Sequence, residues 1–383
     1  MRRAGEQGLA HPLLLFTRWR WIAFPTILFI CTRCALLLFS QIALTLVPNL
    51  WWDNRPLPVL QRYPALDGLC RYDCGHFARI AREGYWNPGA TNFFPLFPLL
   101  VRLLHDVSGI PLEFTLLIVP NLAGFAALVV IYRIFLQLAD EAAARTGLVL
   151  FAAYPFAFFQ ATGYPESLMI FFSALAILLA LRGNHIWAGT ALGLGVLARH
   201  LTIFAGAALV VAQIRQRGFH PRRLLANPAI LGLLIPWLFV GLYCLYQYER
   251  FGDPLAFWAA RANWGPRAWW GIQNLLKTTE QSVDVHAMYS YIPFALVPSI
   301  GAVALLRRAQ WHELAAFALV LMAILWSVGV WGLGRYSASC WPAFLPLGVW
   351  LSKRANFQGP IIALLAVFQG LFFYLFAHQF PIL

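Results

Sequence analysis

Residues 21–50 read WIAFPTILFICTRCALLLFSQIALTLVPNL, a nearly continuous apolar run. A helix needs about 20 apolar residues to cross the hydrocarbon core of a bilayer. A secretory signal peptide has a shorter apolar region and a small-residue cleavage site; this stretch has neither, so it is expected to be a retained first span. Working outward, long apolar runs recur at about 112–136, 228–248, 289–306, 313–331, 336–351 and 358–378, with shorter ones at 146–161 and 165–181. Between Arg182 and Arg215 two short runs, split by Arg199-His200, are expected to form a hairpin that barely crosses. The pattern predicts an all-α polytopic membrane protein of about eleven spans, a single domain over residues 1–383.

Composition excludes the other classes. The 383 residues are 61% hydrophobic and 11% charged, whereas a soluble domain carries about 25% charge. The runs are continuous rather than alternating, which excludes a β-barrel. A formal net charge of +13 invites a nucleic-acid reading, but the basic residues lie in short clusters between apolar runs. With the N-terminus in the cytoplasm, the inner segments hold fourteen Arg and Lys against four acidic residues. The outer segments are nearly balanced, twelve against eleven. That asymmetry orients the chain and places two long loops, about 51–111 and 249–288, on the outer side. Both are rich in Trp, Tyr, Phe and Arg, and amphipathic helices on the outer leaflet are expected there. Only Lys277 and Lys353 represent lysine among the 28 basic residues, a bias that points to a GC-rich bacterial genome and hence to an inner membrane.

Cysteine offers little. Cys31 and Cys34 lie inside the first span and read as packing residues. Cys70 and Cys74, placed on one helix, would meet poorly for a disulfide.

The richest stretch is Arg71-Tyr-Asp-Cys-Gly-His-Phe-Ala-Arg-Ile-Ala-Arg-Glu-Gly-Tyr85. At helical spacing Asp73, His76, Phe77 and Ile80 share a face, with Gly84 ending the helix. A carboxylate and an imidazole one turn apart can share a proton; equally, Asp73 can simply cap an interfacial helix. The next block, Asn92-Phe-Phe-Pro-Leu-Phe-Pro-Leu-Leu-Val-Arg102, is too short to span and carries Pro95 and Pro98. It is either buried in protein at membrane depth or a surface anchor. Glu166 opens a span after Pro165, Arg199-His200 lies between the two short runs, and Arg335-Tyr336 follows Gly332 and Gly334. Helix-end placement and snorkelling explain each singly. Together they put Asp73, His76, Glu166, Arg199, His200 and Arg335 at one depth on one side, where ionisable residues are costly and usually functional. His286, near Asp284, either joins them or ends a solvated loop. There is no P-loop, dinucleotide fingerprint, zinc-protease motif, nucleophile elbow or Asp-x-Asp pair.

These blocks resemble the PIG-V (GPI mannosyltransferase 2) family and its bacterial relatives, polytopic glycosyltransferases of the GT-C type. Residues 72–85 look like the family's W-D-x-x-[HWY]-F-x-x-I-A-x-x-G-Y, with Tyr72 in place of Trp. Phe93-Phe-Pro-Leu-Phe-Pro98 looks like F-F-P-x-[YF]-P. The stretch Tyr154–Ser167 is similar to the block ending Y-[ST]-E-S, with Pro165 in place of Ser or Thr. Leu197-Ala-Arg-His200 sits where the family has an Arg-containing turn, and Gly334-Arg-Tyr336 resembles the late R-Y block.

The resemblance implies transfer of a sugar, mannose, from a polyprenyl-phosphate donor to a hydroxyl of a lipid-linked or cell-surface glycan, with inversion. Asp73 would be the general base, supported by His76. Arg71, Tyr85, Glu166, Arg199, His200, His286, Arg335 and Tyr336 would bind substrate. No cofactor and no obligatory metal are implied; the partners are the lipid-linked donor, the acceptor and membrane lipids, not nucleic acid. A transporter or flippase is the competing reading. It predicts symmetry between halves and charges near mid-membrane, and the sequence offers neither.

Overall fold

The computed structural model describes residues 12–47, 56–218, 228–261, 290–328, 332–380 and 382. All regular structure among them is helical. The α-helices are α1 (Pro12–Leu46), α2 (Pro64–Asp67), α3 (Asp73–Glu83), α4 (Leu96–Ser108), α5 (Leu112–Leu138), α6 (Glu141–Ala153), α7 (Glu166–Leu181), α8 (His185–Ala198), α9 (Gly206–Arg217), α10 (Leu231–Phe251), α11 (Ala256–Ala260), α12 (Ile292–Ala304), α13 (His312–Val328), α14 (Leu333–Ser337), α15 (Phe344–Ser352) and α16 (Ala355–Ala377).

Helices cover much of the apolar runs among the described residues, but length separates them. Among the described residues five helical segments are long and apolar enough to cross a membrane: Trp21–Leu46, Leu112–Leu138, Leu231–Phe251, Ala309–Val328 and Ala355–Ala377. The run at 146–161 is α-helical only to Ala153 and then breaks into a proline-containing stretch, with one 3-10 turn at Ala157–Gln160, that ends at α7. The run at 336–351 is likewise interrupted between Ser337 and Phe344. Composition does not reveal these breaks, because the residues in them are as apolar as those in the helices. The protein is an integral membrane protein that combines long helices with shorter, broken ones. Broken backbone at membrane depth is tolerated when it is buried in protein, and Phe156, Phe158, Phe159 and Trp341 in the two breaks are fully buried.

Helix α1 packs on α5 and α16, α5 on α7, α7 on α8, α8 on α10, α6 on α15, and α13 on α9 and α12. At the α8–α10 crossing a Cβ built on Gly189 would lie 2.1 Å from the Gly232 carbonyl oxygen. The two glycines let the backbones touch, the small-residue packing common between membrane helices. Outward, α10 presents Leu234, Trp237, Leu238, Leu242 and Leu245, and α16 presents Leu364, Val367 and Leu371, an apolar surface matched to lipid.

The loop before α5 holds the expected amphipathic helices. Helix α3 buries Cys74, Phe77, Ala78 and Ala81, and ends at Gly84, whose φ of +76° suits glycine. Its buried stripe is rotated from the face expected: His76 stands on the exposed side with Arg79 and Glu83. Helix α4 buries Leu96, Phe97 and Val101 and exposes Leu99, Leu103 and Val107 at intervals of four. With Phe93 and Phe94 also buried, the proline-containing block is packed into protein.

Candidate functional site

Four charged side chains from four separate elements form one ion network. Arg335 Nη1 donates to Asp73 Oδ2 at 2.9 Å, and Arg335 Nε donates to Glu166 Oε1. Arg199 Nη1 donates to the same Glu166 oxygen at 2.6 Å. Side-chain exposure is 1% for Glu166, 4% for Arg335, 11% for Arg199 and 20% for Asp73, so Asp73 is the most exposed member. Tyr336 completes the group, with the Arg199 guanidinium 4.4 Å from its ring centre and that of Arg335 at 5.5 Å. Two cations beside two carboxylates make burial tolerable, since an unpaired ion in this setting would be strongly destabilising.

Local sequence explains each placement. Asp73 opens α3 directly after Tyr72, whose φ of +49° turns the chain sharply. Glu166 occupies the first turn of α7 after Pro165, where a carboxylate suits the helix dipole. Arg199 follows the last residue of α8 in extended conformation, and Thr202 Oγ1 closes that turn onto the Gly195 carbonyl at 2.8 Å. Arg335 lies on α14, which starts from Gly332 at φ +74°. A Cβ on Gly334 would come within 2.5 Å of the Phe156 ring, so the glycine lets α14 sit close enough for Arg335 to reach both carboxylates. Tyr154 Oη and Ser337 Oγ, 2.8 Å apart, tie the same two segments.

Three atoms in and beside the network stand out. Glu166 Oε2, Arg199 Nε and Gln160 Nε2 are buried and have no hydrogen-bond partner among the described residues. Buried polar atoms are almost always paired in a folded protein, so Glu166 Oε2 and Arg199 Nε mark where a polar ligand or water would bind.

Other expected site residues lie elsewhere. His76 stacks on Phe93 at 4.8 Å and runs parallel to Trp86 at 6.2 Å. It lines a cavity of about 380 Å³ with Tyr72, Gly75, Arg79, Trp86 and Gln379. His200 adjoins Arg199 but faces away from the network: Arg261 Nη1 donates to its Nε2 at 3.3 Å, and Phe94 packs on its ring. Burial, then the charges of Arg261 and Arg199, hold the His200 imidazole down to a pKa of about 3, so it is neutral near pH 7. Tyr85 is buried with its hydroxyl donating to the Phe93 carbonyl, and burial pushes its phenol up.

Arg71 is fully buried. Its Nε donates to the Ala377 carbonyl at 2.7 Å, its Nη2 to Asp67 Oδ2 at 2.9 Å, and its Nη1 to the Cys70 carbonyl at 2.9 Å. Every guanidinium nitrogen is committed to protein, which makes Arg71 part of the scaffold that seats α3 against the end of α16. His286 lies outside the described residues.

Three features were not read from sequence. Cys70 and Cys74 form a disulfide, with Cα atoms 5.4 Å apart. The opposite expectation assumed one continuous helix, whereas α3 begins only at Asp73 and Cys70 lies on the turn before it. Asp67 is the buried partner of Arg71, visible only as an i, i+4 spacing. Arg33, the single charge within residues 21–46, donates from Nε to Asn121 Oδ1 at 2.7 Å and from Nη2 to the Gln160 carbonyl at 3.3 Å. Ser167 Oγ donates to that same carbonyl at 2.6 Å, so Arg33 braces the chain just ahead of Glu166. A lone charge inside a span was the signal available for it.

Among the described residues no three His, Cys, Asp or Glu side chains converge to hold a metal ion; Asp73 and Glu166 instead share a guanidinium. The network can position a carboxylate beside cations, an arrangement suited to proton removal next to an anionic leaving group.

A family model described as Mannosyltransferase (PIG-V) matches residues 27–356. A comparison with curated protein sequences finds no match. Among solved structures, the fold is similar to that of ArnT from Cupriavidus metallidurans bound to undecaprenyl phosphate, at 16% identity and a TM-score of 0.56, covering 89% of this chain and 63% of ArnT. The apo form of the same protein aligns at 17% identity and a TM-score of 0.54, covering 79% and 60%. AglB from Archaeoglobus fulgidus, in complex with an inhibitory peptide and a dolichol-phosphate, aligns at 14% identity over 95% of this chain and 56% of its own, with a TM-score of 0.49. The chain therefore spans less than two thirds of the length of these proteins, and at such identities the likeness is one of fold.

Proposed function

The chain belongs to the PIG-V mannosyltransferase family, and on that premise we propose that it transfers mannose from a polyprenyl-phosphate donor to a hydroxyl of a lipid-linked or cell-surface glycan, at the outer face of a bacterial inner membrane. The observation that carries this reading is the ion network, because its members come from the blocks that resemble the family's motifs and from four different elements. Asp73 is the general base. Its Oδ2 is held by Arg335, and it is the more exposed of the two carboxylates. As the acceptor oxygen bonds to the anomeric carbon, its proton passes to Asp73 and the bond from that carbon to the phosphate oxygen breaks, with inversion. The polyprenyl phosphate departs as an anion, so it needs cations and not a proton. Arg199 is the best placed cation, since its Nε has no partner among the described residues. Glu166, buried between two arginines, positions them. His76, on the exposed side of α3, lines the cavity beside this base rather than touching the network.

The purified protein, reconstituted in nanodiscs, should convert polyprenyl-phosphate mannose and a mannoside acceptor to the extended glycoside and free polyprenyl phosphate. Consumption of other polyprenyl-phosphate sugars with mannose untouched would move the donor assignment. Movement of lipid across vesicles without glycoside product would replace transfer with transport.

A further inference from the structure

The cavity beside α3 has no part in the ion network, yet part of its lining comes from within two positions of the same base in the chain. Tyr72, the residue before Asp73, and Gly75, two positions after it, both line it. Its volume, about 380 Å³, falls in the usual range for a small-molecule site. Its wall is a ladder of flat groups. The His76 ring lies within 19° of parallel to Phe93 and within 15° of parallel to Trp86, and the Arg79 guanidinium sits 4.1 Å from the Trp86 ring centre.

Backbone conformation singles out the same place. Tyr72 at φ +49° and Gln379 at φ +62° are the only non-glycine residues with positive φ among the described residues, and both line this cavity. Such conformations are costly for a bulky side chain and cluster at ligand clamps. The two are joined: Tyr72 Oη donates to the carbonyl of Phe380, the residue after Gln379.

Charge decides what the cavity takes. Arg79 is the one arginine on its wall, and its Nε is paired with Glu83 at 2.9 Å, so the site is not built to recruit a phosphate. Aromatic groups beside amide and guanidinium edges suit a neutral ring whose C–H face packs along the wall of His76 and Trp86 while its hydroxyls meet Arg79 and Gln379. We infer that this cavity is the acceptor subsite and holds a neutral saccharide unit, presenting its hydroxyl toward Asp73. This assignment rests on the transferase reading above, and its test separates the two.

The probe is methyl α-D-mannopyranoside, followed by saturation-transfer NMR on the nanodisc-embedded protein. The wild type should give a transfer signal that Trp86→Ala abolishes and Trp86→Phe retains, with inorganic phosphate failing to displace the sugar. In the transfer assay Trp86→Ala should raise the acceptor KM about tenfold, leaving kcat and donor binding near wild type. Gln379→Ala serves as a second variant should Trp86→Ala unfold early in a thermal melt. No signal from the wild type, a signal unchanged in both variants, or displacement by phosphate would overturn the subsite. A sugar signal lost in Trp86→Ala, in a protein that never transfers mannose, would uphold the saccharide site and sink the transferase reading.

Discussion

Arg335 and Asp73 are 262 positions apart in sequence and 2.9 Å apart in space. The short helix α14 delivers an arginine to the first residue of α3, and the same guanidinium reaches Glu166. This one side chain closes the site, because it alone bridges the two carboxylates, while Arg199 pairs with Glu166.

Replacing Arg335 by Met should therefore do more than remove a contact. Breaking one partner out of a buried ion pair typically costs about 3–5 kcal/mol. Arg335→Lys should recover part of the stability but not both bridges, since an ammonium is a point charge and not a fork. Thermal melts of both variants, alone and combined with Asp73→Asn, measure the coupling. Independent, additive effects would contradict the network.

The Cys70–Cys74 disulfide encloses Asp73 and the turn that places it. Closing so short a loop contributes about 2 kcal/mol in the chain-entropy estimate. We expect Cys70→Ser/Cys74→Ser to lower both the melting temperature and the transfer rate. Mass spectrometry of protein whose outer loops face an oxidising compartment should show the bond formed. Two free thiols there, with full activity, would remove it from the account.

His200 gives a pH signature. Its folded pKa, about 3 against an ordinary value of 6.5, means that the unfolded chain takes up a proton first as pH falls. Stability contributed by the neutral imidazole is complete above about pH 6.5 and is lost progressively toward pH 3. His200→Gln should flatten the melting-temperature profile across that window. An unchanged slope would show that the imidazole charges freely in the folded protein.

Arg71 should separate scaffold from substrate contact. Its nitrogens serve Ala377, Asp67 and Cys70, so Arg71→Met is expected to lower the yield of folded protein while the folded fraction keeps its donor KM. A raised donor KM at unchanged stability would return Arg71 to the binding site.

The parts of the site legible in sequence carry one of two marks. Glu166, Arg199 and Arg335 are ionisable residues set in strongly apolar sequence, where each demands a partner, and Asp73 stands in the block that resembles the family motif. Arg71 and Tyr85 sit in the same motif and carry the same polar atoms, but whether a donor faces a ligand or a backbone carbonyl depends on tertiary packing. The Cys70–Cys74 bond was misread because the Tyr72 turn, a φ of +49° at a bulky residue, leaves no mark in composition. For the same reason the breaks after Ala153 and Ser337 looked like continuous spans. Long, uniformly apolar helices such as α5 and α16 were plain from the run alone.

The central claim is that Asp73, not Glu166, takes the acceptor proton. The direct measurement is single-turnover transfer from polyprenyl-phosphate mannose by purified Asp73→Asn and Glu166→Gln proteins, with donor binding followed in parallel. Asparagine keeps the size of the side chain but cannot accept the proton, so Asp73→Asn should bind donor and lose about 10²–10⁴-fold in rate. Glu166→Gln, by loosening Arg199 and Arg335, should weaken donor binding. An Asp73→Asn enzyme near full rate, beside a Glu166→Gln enzyme that binds donor normally and transfers nothing, would contradict the assignment and give the role to Glu166.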